Sequence, residues 1–149
     1  MEREDVLKKG SIGLCVLALG LWALAPFAGG ADEAASQKAA GESARTWLAL
    51  VDSGNYAESW NQASQFFKQQ VTAAQWESAV KAARSPLGKL LARQQKSAQY
   101  TQTLPGAPDG EYVVIQYASA FENKKSATET VTPMKDKDGR WRVSGYYIR

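Results

Sequence analysis

Arg93 and Glu129 are the two charges of this chain best placed to act together. If Leu87 to Arg93 is extended, Leu87, Leu91 and Arg93 share one face of a strand, since side chains alternate with period two. On a second strand Ala127, Glu129 and Val131 share a face by the same rule. Both charges then point toward the concave side of one sheet, within salt-bridge reach. Arginine grips carboxylates and phosphates with a two-pronged geometry, so the pair reads as an ion pair or as a ligand clamp in a pocket. The competing reading is a structural pair at the sheet end, or two solvated charges.

The remaining chemical inventory is narrow. The chain has no histidine, and its only cysteine is Cys15. That removes the Ser-His-Asp triad, the usual Cys/His zinc sites and any intrachain disulfide. Asp136-Lys137-Asp138-Gly139 is too short for a calcium loop and reads as a hairpin turn. Neither a metal nor a cofactor is expected. Asp52, Tyr56 and Ser59 cluster near a helix end, where such residues cap and turn the chain. An apolar pocket holding Asp and Tyr would serve an isomerase- or dehydratase-like enzyme, but no paired, buried acid can be read here. The expectation is therefore a domain without catalysis.

The elements that must position these residues change period half-way. Ala44, Trp47, Leu48 and Val51 form one helical stripe closed by Gly54. Asn55 with Glu58 resembles a capping box for a short helix carrying Tyr56 and Trp60. Phe66, Phe67 and Val71 follow. Thr72 with Gln75 is a stronger capping box, opening a helix with Trp76, Ala79, Val80 and Ala83 on one face and Ser85-Pro86 at its end. About three helices are expected, with the Trp and Phe residues in the core.

Leu87 to Leu104 is polar and moderately β-prone, and Pro105 to Gly110 is a dense turn signal. Glu111 to Phe121 is the strongest strand, with Glu122 to Lys125 as the next turn. Thr128 to Met134 and Arg140 to Ile148 are the third and fourth strands, joined by Asp138-Gly139, and Gly145 marks a candidate bulge. Helices followed by a four-stranded antiparallel meander define an α+β fold with a curved sheet around the helices. Tyr112, Tyr117, Tyr146 and Tyr147 give that sheet aromatic faces, which read either as core and rim or as an exposed homodimer surface.

The first residues carry a different message. Glu2 to Lys9 is charged, Ser11 to Ala28 is uncharged and apolar, and Gly29-Gly30-Ala31 follows, the layout of a secretory signal cut before Asp32. The stretch is also near the roughly 17–25 residues that span a membrane, so an uncleaved anchor is the alternative. Leu14 before Cys15 is too large for a lipid attachment site. Residues 1–31 are thus read as signal or anchor, 32–41 as a linker or frayed helix start, and 42–149 as one domain. The net charge of +3 reads as solubility, and a nucleic-acid partner is not expected. Lys124-Lys125 and Lys135-x-Lys137 read as protection of strand ends.

Trp47, Asp52-x-Gly54-x-Tyr56-x-x-Ser59-Trp60, Phe67, Trp76, Arg84-x-Pro86-Leu87-Gly88 and Arg93 stand in a recognisable order. The series continues through Pro105-Gly106-x-Pro108-x-Gly110-x-Tyr112, Phe121, Glu129 and Asp138-Gly139-x-Trp141-Arg142-Val143-x-Gly145-Tyr146. This pattern resembles domain-of-unknown-function family 4019 over about residues 42–149. The resemblance implies a small secreted protein of the bacterial envelope and a cone-shaped, nuclear transport factor 2-like (cystatin-like) fold. It implies no catalytic residues. The expectation is a periplasmic or secreted domain that binds a small ligand or an envelope protein, with Arg93 and Glu129 as ligand-binding candidates. Contact with a membrane is expected only through an uncleaved leader.

Overall fold

An apolar stripe nucleates the first helix. Ala40, Ala44, Trp47, Leu48 and Val51 fall at helical spacing and are all buried. They belong to α1 (Ala28–Asp52), and the structure, a computed structural model, describes residues 28–149. The expected leader lies outside the described residues except for 28–31, the first turn of α1. Among the described residues no helix is long and apolar enough to cross a membrane. Residues 32–41 are helical, not an irregular linker. Their alanine content favours helix, and the buried stripe starts inside them at Ala40.

Gly54, with φ at 77°, turns the chain after α1, and the Gly54 and Asn55 amides return to the carbonyls of Val51 and Leu50. Then come α2 (Tyr56–Asn61), α3 (Gln65–Gln70) and α4 (Ala73–Arg84), with a short 3-10 turn over Ser85–Leu87. Among the described residues there are four helices where about three are expected, because Phe66 and Phe67 sit in a short helix of their own, capped by Ser64. The capping box expected at Asn55 does not form. The Asn55 side chain makes no cap bond, and Glu58 instead accepts from Asn61 and Gln62. The box at Thr72 and Gln75 is present in both halves.

The second half is a meander of β1 (Leu90–Thr101), β2 (Tyr112–Phe121), β3 (Lys124–Lys135) and β4 (Trp141–Ile148), paired antiparallel in that order. The curved sheet carries the helices on one face. β3 starts earlier than expected, because Glu122 and Asn123 alone make the turn and Lys124 already pairs with Phe121. Gly139, with φ at 82°, closes the last hairpin.

β3 carries one extra residue between Lys124 and Ala127, and three further irregularities set which side chains face the helices. β1 carries one extra residue at Leu91 and another at Lys96. β4 carries one at Ser144, next to the expected Gly145 position. Each extra residue reverses the alternation beyond it.

The core is aromatic. Trp47 and Trp76 lie 5.5 Å apart, and Phe67 meets Trp76 edge-on at 5.1 Å. Buried Ser59 serves both indoles: its carbonyl accepts from Trp47 Nε1 at 2.8 Å and its hydroxyl from Trp76 Nε1 at 2.9 Å. The tyrosines do not form one exposed face. Tyr112 and Tyr117 are buried and Tyr146 packs on Trp47 and Trp76. Tyr147 is the one turned outward, at 61 % exposure.

Gly88 links the 3-10 turn to β1 at φ 73°, where a Cβ would stand 2.7 Å from Glu122 Oε2 and 3.0 Å from Glu122 Cβ. Backbone strain and the clash act together there, so Gly88→Ala is expected to lower unfolding free energy by about 2 kcal/mol. Denaturant unfolding checks this, and an unchanged midpoint would contradict it.

Candidate functional site

Glu129 stands on the helix-facing side of β3 and is wholly buried, at 0 % exposure. A carboxylate cannot be left there without partners, because its desolvation costs far more than one hydrogen bond returns. Arg93 supplies the charge. Its Nε donates to Glu129 Oε2 at 2.6 Å and its Nη2 to Oε1 at 3.0 Å, the two-pronged geometry anticipated from the sequence. Ser119 Oγ on β2 donates to Oε2 at 2.5 Å, and Tyr146 Oη on β4 donates to Oε1 at 2.7 Å. All four strands thus meet at one side chain.

The same guanidinium reaches back to the helices. Arg93 Nη1 and Nη2 donate to Asp52 at 2.6 and 2.9 Å. Asp52 ends α1, where the helix dipole disfavours a negative charge. Two arginines offset this, for Arg84 Nη2 donates to Asp52 Oδ1 at 2.8 Å. Arg84, in the last turn of α4, suits its own helix end and lies with its guanidinium carbon 4.8 Å from the Phe121 ring centroid. Its Nη1 is 3.7 Å from Glu129 Oε1 and donates weakly to Tyr146 Oη at 3.4 Å. Two cations and two anions balance. Solvent reaches 22 % of the Asp52 side chain, 13 % of Arg93 and 6 % of Arg84.

The charges tune one another. Burial alone would raise the Asp52 carboxyl, but the hydrogen bonds and charges of Arg93 and Arg84 outweigh it and hold it below its usual value. Burial opposes the Arg93 cation, yet Asp52 and Glu129 hold its pKa above the usual arginine value. Burial, then the Glu129 charge, pushes the Tyr146 hydroxyl well up, so it stays a donor at neutral pH.

The sequence model of a family described as "Protein of unknown function (DUF4019)" matches residues 43–146, spanning every member of this network. The chain belongs to that family. No curated protein and no solved structure matches it.

Within this DUF4019 domain the sequence placed Arg93 and Glu129 together correctly, but not by the full route expected. Leu91 does not share a face with Arg93. It is the extra residue in β1 and points outward at 55 % exposure. Arg84 was missed, although it continues the stripe of Trp76 and Val80 by four residues; Ala79 and Ala83, expected on that stripe, are exposed. Tyr146 was missed as a site residue because simple alternation from Val143 turns it outward, and the extra Ser144 turns it in. The sequence reads Asp52 as a cap, and the structure makes it an ion-pair partner of Arg93 and Arg84.

Neither Arg93 nor Glu129 lines the three main cavities of the DUF4019 domain. One of about 230 Å³ touches the edge of the network at Asp52 and Arg84. A second of about 520 Å³ lies between Asp32 and Glu33 of α1 and Tyr100 of β1. The largest, an open groove of about 700 Å³, runs between α1, the end of α2 and the β3–β4 hairpin, with Trp141 in its wall. Among the described residues no group of carboxylates is spaced to hold a metal ion. Asp136 and Asp138 are both bound by Arg142 at 2.8 Å.

Asp52, with its lowered folded-state pKa, adds stability that is present above the unfolded value near 3.8 and lost as pH falls through the lower folded value. Asp52→Asn is expected to melt at a lower temperature than the parent at neutral pH and to lose less on acidification below about pH 4. Thermal melts across that range check it, and parallel curves for the two proteins would contradict it.

Proposed function

We propose that the chain is a non-catalytic binding domain of the bacterial cell envelope, taking a small ligand or a protein partner in the groove beside Trp141. The observation that carries this reading is where the polar capacity goes. Arg93 and Glu129 are engaged with each other and with Asp52, Ser119 and Tyr146, and neither lines any of the three cavities described above. They are read as scaffold, not as a ligand clamp. A general acid or base needs an ionisable group within reach of a substrate, and the buried carboxylate here is enclosed by its own partners. The groove is different. Glu42 and Arg140 in its wall have no ion-pair partner among the described residues.

The envelope assignment rests on the leader layout of residues 1–31. The order of elements, helices first and a curved antiparallel meander after them, supports a cone-like, nuclear transport factor 2-like fold.

A native intact mass of the full-length protein, expressed in a bacterial host and purified gently, tests the reading. The expected result is the mass of residues 32–149 with a reproducible adduct that weakens in Arg140→Ala. Bare protein in both forms would contradict ligand binding, and an uncut mass would make the domain a membrane-anchored module.

A further inference from the structure

The groove wall has a mixed chemistry. Trp141 packs on the core with part of its surface and lines the groove with the rest, so its indole is held rigidly at the opening. Around it stand hydroxyls from Ser43 and Thr46, the Glu42 carboxylate and the amides of Asn61 and Gln62. Both amide nitrogens donate to Glu58, at 3.1 and 2.9 Å, which fixes the side chains and leaves their carbonyl oxygens as acceptors. Charge in the wall is close to balanced. Glu42 and Arg140 both line it, and Arg142 is held by Asp136 and Asp138.

We infer that this groove is a carbohydrate site that takes an oligosaccharide with one pyranose ring stacked on Trp141. The inference rests on the binding-domain reading above and names its ligand class. A pyranose ring has an apolar C–H face that matches the apolar body of an indole and a rim of hydroxyls that each donate and accept. Planar amides, a carboxylate, a guanidinium and two hydroxyls answer that rim. A balanced wall suits a ligand of little net charge better than a phosphate. The volume, about 700 Å³, lies in the usual range for ligand sites.

Peptide modes fit less well. A strand added to the β4 edge needs free carbonyls, but beside the groove Val143 O accepts from Ser64 N and Trp141 O from Ser43 Oγ, both at 2.9 Å. A docked amphipathic helix needs a continuous row of apolar contacts, whereas here polar side chains interrupt the apolar surface and Trp141 is the one part-exposed indole.

Isothermal titration of the full chain with tetra-N-acetylchitotetraose and, separately, maltotetraose tests this. The expected result is saturable heat with at least one of them, weakened about tenfold in Trp141→Ala. Asn61→Ala, an exposed position, is expected to weaken it several-fold while leaving the melting curve unchanged. No heat with either sugar would overturn the inference, as would equal binding by both variants. A native adduct of other chemistry together with silent titrations would sink the sugar and spare the binding domain. Bare protein and silent titrations would sink both.

Discussion

A carboxylate at zero exposure constrains everything around it. Glu129 can stay in the interior only with a cation in contact and its remaining lone pairs occupied. Arg93, Ser119 and Tyr146 meet that requirement from the three other strands, and Asp52 and Arg84 close the network from the ends of α1 and α4. Each partner must arrive in one register. Shifting β1 or β4 by one residue would send Arg93 or Tyr146 to the outer face and strand a buried charge. The extra residues at Leu91 and Ser144 belong to the same constraint, since they set the phase that brings those side chains inward.

The network and the aromatic core divide the work. Trp47, Trp76 and Phe67 remove large apolar area from water and supply the drive to fold. The ion pairs recover part of their own desolvation and add less, but their directionality selects one arrangement from the many an apolar core would tolerate. Tyr146 joins the two: its ring packs on both tryptophans while its hydroxyl binds Glu129.

What the sequence showed, and what it hid, follows from locality. The stripe through Trp47 and Val51, the box at Thr72 and Gln75, and the hairpin at Asp138-Gly139 are local patterns, and all three formed. Glu129 is legible as an inward charge because Ala127 and Val131 flank it on its strand face, whereas the local cue for Arg93, a face shared with Leu91, fails because Leu91 is the extra residue and turns outward. The bulges were mostly hidden, since an extra residue shows only in the pairing of two strands. Arg84 carries a signal in its spacing from Trp76 and Val80, but an arginine at a helix end ordinarily reads as solvated. The turn of Asp52 toward Arg93 depends on how α1 crosses the sheet, which no local pattern encodes.

With Glu129 enclosed by its partners, binding is left to the surface, where Trp141 and its polar neighbours line the groove. The central claim is that the Arg93–Glu129 contact is a coupled structural element. A double-mutant cycle in denaturant unfolding, with Arg93→Met, Glu129→Gln and the pair, measures it most directly. The account predicts a coupling of about 2 kcal/mol, the double variant losing less than the sum of the singles. Additive losses would contradict it.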